Sequence, residues 1–321
     1  MKRILVTGAL GQIGAELVPA LRARHGGDRV VATDIRMPAR DTAPATHDGP
    51  FERLDCTRLQ HIHEIVRRYD VGTIYHLAAL LSATAEERPQ SAWDINMGGL
   101  YRILEVARQH RCALFFPSSI GAFGPTTPRD MTPQDTIQRP TTMYGVTKAA
   151  GEMLCDYYAH RFGVDARGLR LPGLISYAAP PGGGTTDYAV HIFHQALRYR
   201  HYTCFLKPDT ALDMMYMPDA VRAILALMDA DPARLVHRNA FNVTGMSFTP
   251  ERLAAEIRRH IPDFVIDYAV DPLRQSIADS WPRAMDDSAA RAEWGWAPRF
   301  DIAAMTADML DKLRERSRAA P

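Results

Sequence analysis

Two side chains in the middle of the chain have types and spacing suited to proton transfer. Tyr144 and Lys148 stand four positions apart in a stretch predicted to be helical, so the phenol and the ammonium share one helix face. Free tyrosine, with a pKa of about 10, is a poor base at neutral pH, but a nearby cation favours the phenolate. The spacing therefore predicts that Lys148 lowers the pKa of Tyr144, which then accepts a proton in catalysis.

A hydroxyl group is expected close to this pair. Ser119 follows Ser118 at the end of the apolar run Ala113–Pro117, which is predicted to be a buried strand. The C-terminal ends of parallel strands line the crevice in which open α/β sheets bind ligands. We expect Ser119 to hold the substrate oxygen from which the phenolate takes its proton, so Tyr144, Lys148 and Ser119 are the predicted catalytic residues.

A glycine-rich turn near the N-terminus predicts a dinucleotide site. Gly8 permits a tight turn, Gly11 lets the backbone approach a pyrophosphate, and Gly14 allows close packing of helix on strand. The free N–H groups that open the following helix attract phosphates. The predicted phosphate-binding residues are Gly8, Gly11, Gln12, Ile13 and Gly14.

The residues at other strand ends indicate which dinucleotide binds. Asp34, at the end of the second strand, can accept hydrogen bonds from the adenosine ribose and would repel a 2′-phosphate, which predicts NAD rather than NADP. Arg36 can instead attract a phosphate, and Asp34 can be an ordinary turn residue. Lys148 can also bind the nicotinamide ribose. Further contacts with the cofactor are expected at Asp55, Cys56, Leu77, Ala78 and Ala79. The small residues among them can equally serve close packing alone.

Alternating elements in the first half predict an α/β fold, a Rossmann-type doubly wound parallel sheet. The predicted strands are Arg3–Thr7, Arg29–Thr33, Thr73–Leu77, Ala113–Pro117 and Asp165–Leu171. The predicted helices are Gln12–Arg24, Leu59–Tyr69, Ser91–His110 and Thr142–Phe162, with Asp187–Tyr199, Pro218–Met228 and Ala303–Arg316 further along. Residues Ala39–Pro50 are expected to form an exposed loop.

Two domains are expected from this pattern. Residues 1–175 form the NAD-binding domain, to which 213–240 return. Residues 176–212 and 241–321 form a smaller α+β substrate-binding domain, in which the alternation is weaker.

The composition excludes several classes of function. The 38 Lys and Arg balance 37 Asp and Glu, so no overall field attracts nucleic acid or an anionic membrane. No apolar run reaches the roughly 18 residues of a membrane span, and the chain starts directly with a strand, so we expect a cytoplasmic protein. The four cysteines form no metal-binding spacing, and the pairs His61/His63 and His191/His194 are interpreted as structural, so no metal is expected.

Several motifs, taken together, resemble the extended short-chain dehydrogenase/reductase family over the full length. They are the three glycines, His76-Leu77-Ala78-Ala79, Asn96, Ser119, Tyr144-x-x-x-Lys148 and Asp213–Asp219. Phe116–Thr126, Arg170–Ser176, Gly184–Ala189 and Ser280-Trp281-Pro282 are similar to the short-chain, metal-independent family of L-threonine 3-dehydrogenases. The resemblance implies oxidation of L-threonine at its β-carbon to 2-amino-3-oxobutanoate, with Asn96 and Leu174 as further cofactor contacts and a homodimer paired through helices.

The resemblance also implies a set of substrate contacts, which are Ser82, Ser119, Tyr144, Thr185 and Thr186. Thr185–Asp187 can equally be an ordinary helix N-cap. The run Gly182–Gly184 is a hypothetical hinge for a lid over residues 178–190. Trp281 can close the pocket or serve in packing.

Two other functions remain open at this stage. A sugar-nucleotide epimerase or dehydratase shares the fold and the Tyr, Ser and Lys residues, but needs a long nucleotide pocket that usually carries basic residues. A non-catalytic NAD sensor is the second alternative, against which the intact Tyr144, Lys148 and Ser119 argue.

Overall fold

The structure, a computed structural model, describes residues 2–38, 48–180 and 182–319. Most of the loop predicted over Ala39–Pro50 lies outside the described residues, as does Pro181 in the segment predicted to form a lid.

A seven-stranded parallel sheet forms the centre of the first part of the chain. Its strands, in spatial order β3-β2-β1-β4-β5-β6-β10, follow the Rossmann-type order that the alternating pattern predicted. The strands are β1 (Arg3–Thr7), β2 (Val30–Asp34), β3 (Phe51–Arg53), β4 (Val71–His76), β5 (Ala113–Ser119), β6 (Ala166–Leu171) and β10 (Phe241–Asn242). The two strands that the sequence analysis missed, β3 and β10, are edge strands of three and two residues, too short to show a periodic pattern.

Helices cover both faces of this sheet, as predicted. They are α1 (Gln12–His25), α2 (Leu59–Arg68), α3 (Ser82–Glu87), α4 (Pro89–Ala92), α5 (Gly99–His110), α6 (Met143–Phe162) and α8 (Met217–Asp229). The single helix predicted over Ser91–His110 is interrupted, because one π-helical stretch, Trp93–Gly98, separates α4 from α5. Arg102 of α5 donates a hydrogen bond to the carbonyl of Gly98, the last residue of that stretch, at 2.7 Å.

A second group of elements packs around its own hydrophobic core. It contains two small sheets, of β11-β9-β7 and β12-β8. Its strands are β7 (Gly173–Ile175), β8 (His201–Cys204), β9 (Leu212–Tyr216), β11 (Met246–Phe248) and β12 (Val265–Tyr268), and its helices are α7 (Tyr188–Tyr199), α9 (Pro250–Arg258), α10 (Pro272–Asp279) and α12 (Ile302–Ala319).

Some elements pair across the bounds of the two predicted domains. β10 lies after residue 240 but pairs with β6 of the large sheet, and α11 (Ser288–Trp294) packs there through Ala290. Conversely, β9 lies in a small sheet with β7 and β11, whereas α8 packs on the core of the large sheet, to which Met215 of β9 and Leu235 also contribute. The division into a cofactor domain and a substrate domain stays a prediction.

The order of the strands shows at which edge of the sheet a ligand site is expected. β1 and β4 are neighbours in space although β2 and β3 lie between them in sequence, so the chain reverses direction across the sheet at this point. Ligands bind outside the C-terminal ends of strands at such a switch point. The ends of β1, β2, β4 and β5, with the turns that follow them, therefore define where a site is to be expected.

Candidate active site

A cavity of about 640 Å³ opens at this edge of the sheet. Its wall brings together nearly every residue proposed from sequence: Gly8, Gly11, Gln12, Ile13, Gly14, Asp34, Asp55, Cys56, Leu77, Ala78, Ala79, Ser82, Ser119, Tyr144, Lys148, Leu174, Thr185 and Thr186. These residues come from widely separated parts of the chain. The structure therefore joins the glycine turn, the Tyr–Lys pair and the hydroxyl groups in one continuous cavity.

The glycine turn leaves no space for side chains. Gly8 has φ +69°, and a Cβ there would lie 2.7 Å from the Ala78 nitrogen at the end of β4. A Cβ on Gly14 would lie 2.5 Å from the Ala9 carbonyl oxygen. Gly11 is the N-cap of α1, where no side chain caps the first N–H groups. This turn therefore has the close approach and the unoccupied donors that a pyrophosphate requires.

Replacing Gly8 by alanine is expected to weaken NAD binding about tenfold or more, because backbone strain of about 1–3 kcal/mol adds to the clash with Ala78. Isothermal titration calorimetry measures the effect. Gly163→Ala is the matched control, since Gly163 also has φ +69° but nothing lies within 4 Å of its added Cβ. Equal NAD affinities for the two variants would contradict the prediction.

Asp34 is held rigidly at the mouth of the cavity. One carboxylate oxygen accepts a hydrogen bond from the Leu10 N–H at 3.1 Å, and the other accepts from the Arg36 backbone N–H and Nε, each at 3.1 Å. Asp34 is 5% exposed, whereas the Arg36 side chain is 64% exposed. The carboxylate therefore joins the glycine turn to the end of β2 and holds Arg36 beside itself.

Asn96 is the one predicted cofactor contact that does not line the cavity. Its side chain accepts a hydrogen bond from the Leu80 N–H at 2.8 Å and donates to the Leu80 carbonyl at 3.1 Å and to Thr147 Oγ1 at 3.1 Å. These bonds fix the segment after β4 against α6. Direct contact between Asn96 and the cofactor is therefore not supported, because the residue lies one layer behind the wall.

The predicted catalytic residues converge at the bottom of the cavity. Tyr144 lies in the first turn of α6 and Lys148 one turn later, with Lys148 Nζ 5.4 Å from the centre of the Tyr144 ring. A hydrogen bond links the Tyr144 phenol to Ser119, the last residue of β5. Lys148 also lies over the Phe116 ring, at 4.9 Å, and donates to the Pro117 carbonyl at 2.6 Å.

The expected lowering of the Tyr144 pKa is wrong for this structure. Burial raises the pKa of Tyr144 to about 12, and the hydrogen bond with Ser119 lowers it only in part. Burial also lowers the pKa of Lys148 to about 8, against the opposing effect of Glu152. The spacing in sequence could not show how deeply both groups are buried, and burial is the largest cause of each pKa shift.

The raised pKa of Tyr144 gives a defined pH dependence. If the phenolate is the base, its fraction increases about tenfold for each pH unit below the phenol pKa, so the oxidation rate should increase with pH from 6 towards 9. Steady-state kcat at saturating NAD, measured across this range, tests the expectation. A rate that stays level over these three pH units would contradict a phenol base.

A buried ion pair that sequence analysis missed supports the catalytic helix. Glu152, one turn after Lys148 on α6, accepts hydrogen bonds from Arg170 Nη2 at 2.9 Å, from Gln138 Nε2 at 2.7 Å and from the Ser118 hydroxyl. The network ties α6 to β5 and β6. The only sequence signal was the i, i+4 spacing of Glu152 from Lys148, which surface residues also show.

The far end of the cavity, beside Gly182 and Gly184, carries hydroxyl groups. Ser82 and Thr185 are buried, their hydroxyl oxygens lie 3.3 Å apart, and the Thr185 N–H donates to Ser82 Oγ at 3.3 Å. Asp187, which the sequence analysis had not proposed, lines the same end and accepts from the Gly183 and Gly184 N–H groups at 2.9 and 2.7 Å. Trp281 also lines this end.

The alternative N-cap interpretation of Thr185–Asp187 agrees with part of the hydrogen bonding. These residues form a 3₁₀ turn that leads into α7, and the Asp187 carboxylate accepts from the N–H of Gly184, the N-cap of that turn, as in a capping box, and also from the Gly183 N–H. Burial raises the pKa of this carboxyl, although the two backbone hydrogen bonds oppose the shift.

The described residues offer neither a metal site nor a membrane-spanning helix. No group of three or more His, Cys, Asp or Glu side chains is placed to hold a metal ion. Among the helices described, none combines the length and apolar character needed to cross a bilayer.

The cavity and the glycine turn agree with the comparison to known families. A family model for the NAD dependent epimerase/dehydratase family matches residues 4–244. The chain therefore belongs to the NAD dependent epimerase/dehydratase family. It is an NAD-dependent oxidoreductase, and the uncapped turn at Gly11 and the carboxylate of Asp34 are the groups that fit the dinucleotide.

Particular relatives extend this similarity over the whole chain. A chain from Staphylococcus saprophyticus, known as an uncharacterized epimerase/dehydratase, is 55% identical over 319 residues, 99% of each chain. The solved structure of an L-threonine dehydrogenase from Clostridium difficile is 55% identical, with a TM-score of 0.95 and 98% of each chain covered. A monomeric L-threonine 3-dehydrogenase from a metagenome is 45% identical, with a TM-score of 0.93 and 98% of this chain and 99% of that one covered.

Proposed function

We propose that the protein oxidises L-threonine at its β-carbon with NAD, giving 2-amino-3-oxobutanoate. The observation that carries the proposal is that Tyr144, Ser119 and Lys148 line the same cavity as the hydroxyl groups of Ser82, Thr185 and Thr186. The similarity to L-threonine dehydrogenases supports the choice of substrate.

The charges of the cavity wall favour threonine over a sugar nucleotide. The described residues at the far end include no Lys or Arg; they are Leu80, Leu81, Ser82, Thr84, Pro180, Gly182, Gly184, Thr185, Thr186, Asp187 and Trp281. A nucleotide diphosphate requires cations or several free N–H donors. A small zwitterion instead suits hydroxyl groups for its carboxylate and an acidic group for its ammonium, and Asp187 supplies the acidic group.

The proposed chemistry assigns one role to each catalytic residue. Tyr144, as phenolate, accepts the proton of the β-hydroxyl while the C–O bond becomes a carbonyl and the β-hydrogen leaves with its electron pair. Ser119 holds the oxygen, and Lys148 is proposed to hold a ribose hydroxyl of the cofactor. NAD, when bound, supplies the carbon that accepts the hydride. Thr185 and Thr186, with Ser82, are proposed to position the carboxylate.

The direct test is absorbance at 340 nm with NAD and L-threonine. Steady growth of the signal is expected, with UDP-glucose under the same conditions as the comparison. Turnover of UDP-glucose without oxidation of threonine would support an epimerase instead. Tight NAD binding without oxidation of any small hydroxy amino acid would support a sensor.

We also propose that the protein is a homodimer paired through α5 and α6. An exposed apolar face runs along these helices and the preceding π-helical stretch, and consists of Trp93, Tyr101, Val146, Met153, Tyr157 and Phe162. The Tyr157 and Phe162 rings pack edge to face with their centres 5.8 Å apart, so part of this face is preformed. The monomeric relative shows that pairing is not universal among similar enzymes.

A charged double substitution should separate the subunits. Met153→Glu with Tyr157→Glu places two carboxylates at the centre of the apolar face, and is expected to shift the mass measured by light scattering from dimer to monomer. Tyr199→Glu on α7, an equally exposed aromatic outside this face, is the control. A dimer mass that survives the double substitution would place the interface elsewhere.

A further inference from the structure

The short helix α3 connects the proposed substrate loop to the catalytic helix. At its first residue, Ser82 accepts a hydrogen bond from the Thr185 N–H at 3.3 Å. Four residues later, Glu86 Oε1 accepts a hydrogen bond from the Met143 N–H at 2.6 Å. Met143 is the first residue of α6, directly before Tyr144. The one and a half turns of α3 therefore contact both the loop that contains Thr185 and the start of α6.

The start of α6 depends on acceptors from outside the helix. The first N–H groups of a helix have no partner within it, so side chains or water must satisfy them. Thr142 Oγ1 accepts from the Gly145 N–H at 3.0 Å, and Glu86 satisfies the Met143 N–H. A carboxylate at this end also interacts favourably with the helix dipole.

The Tyr144 ring rests on the same helix. Ala85, the neighbour of Glu86, forms a small buried cluster with Tyr144 and with Ala92 of α4. Tyr144 is therefore fixed by α3 in two ways: its ring packs on Ala85, and the backbone N–H before it is bound by Glu86. Neither contact belongs to the catalytic chemistry.

We propose that Glu86 is a positioning residue, which holds the first turn of α6 so that the Tyr144 hydroxyl stays within reach of Ser119. The proposal rests on the proposed role of Tyr144 as proton acceptor. Loss of the Glu86 acceptor leaves the Met143 N–H to water and loosens the turn that carries the phenol. A displacement of about 1 Å in a reacting group can cost a hundredfold in rate, so a loosened turn acts on kcat. The glycine turn at Gly8 lies on other elements, so NAD affinity should change little.

Three substitutions of Glu86 separate the effect of side-chain length from the effect of charge. Glu86→Ala removes the acceptor and is expected to lower kcat for threonine oxidation about tenfold, with KM for threonine and Kd for NAD within about twofold of the parent. Glu86→Gln keeps an oxygen at the same distance and should restore most of kcat. Glu86→Asp keeps the charge but is one carbon shorter, so it should remain slow. Glu87→Ala, at the exposed neighbouring residue, is the control.

A second measurement does not depend on the substrate. Amide hydrogen exchange over residues 142–147, followed by mass spectrometry, should be faster in Glu86→Ala and Glu86→Asp than in the parent and Glu86→Gln. Thermal unfolding identifies any variant that fails to fold; if Glu86→Ala does, the Gln and Asp variants carry the comparison.

The outcomes that overturn the proposal are distinct from failure of the proposed function. Parent-like kcat in both Glu86→Ala and Glu86→Asp, or kcat in Glu86→Gln as low as in Glu86→Ala, would overturn the positioning role. So would unchanged exchange over residues 142–147 in the Ala and Asp variants. If the parent itself fails to oxidise threonine, the proposed function fails, and the exchange measurement still decides whether Glu86 holds the start of α6.

Discussion

Replacing Tyr144 by phenylalanine is expected to lower kcat for NAD-linked threonine oxidation about a hundredfold or more, while NAD still binds. The substitution removes one oxygen atom and leaves the ring in its packing against Ala85 and Ala92. Without the phenol, Ser119 can still hold the substrate oxygen but has no adjacent base to take its proton. The loss should therefore appear in kcat, and the affinity for NAD should stay close to that of the parent.

Tyr158→Phe is the matched control for this prediction. Tyr158 lies on the same helix and is also buried, but its hydroxyl donates to Glu105 away from the cavity. Both variants should be compared by initial rates at 340 nm and by NAD titration. If Tyr144→Phe retains turnover close to that of Tyr158→Phe, another group must serve as the base.

The fold could be predicted from sequence because its central strands carry a strong pattern. β1, β2 and β5 are short, largely apolar runs separated by helices, and burial on both faces of a parallel sheet imposes this pattern. β3 and β10 carry no such signal, since two or three residues at a sheet edge pair through backbone groups. The π-helical stretch Trp93–Gly98 was also missed, because its residues fit an α-helical pattern equally well.

Which residues form the candidate site could be predicted from sequence more fully than the pKa values of those residues. Glycine at position 8 is required by a backbone conformation, and the strand-end position of Ser119 follows from the order of elements, so both were accessible to sequence reasoning. The pKa of Tyr144 was not, because it depends on how completely the fold excludes water. Asn96 and Asp187 show a further limit: whether a polar side chain faces the cavity or binds the backbone depends on packing that the sequence does not specify.

The second large effect is expected from Asp34→Ser, which should reduce the preference for NAD over NADP, measured as the ratio of kcat/KM values, by about ten- to a hundredfold. Hydrogen bonds to a charged group contribute about 1.5–3 kcal/mol, so losing those from the carboxylate to the ribose weakens NAD by about this factor. The same change removes a charge that repels the 2′-phosphate. It also frees Arg36, which now binds Asp34 through Nε at 3.1 Å and lies largely exposed at the cavity mouth.

Two companion variants separate these causes. Asp34→Asn keeps an oxygen that can accept from the Leu10 N–H but removes the charge, so it should improve NADP use with a smaller loss for NAD. Asp34→Ser combined with Arg36→Ala should lose the NADP gain, because no cation remains to bind the phosphate. If Asp34→Ser leaves the ratio of the two kcat/KM values unchanged, Asp34 does not contact the ribose. Its bonds to Leu10 and Arg36 would then serve only to hold the glycine turn against β2.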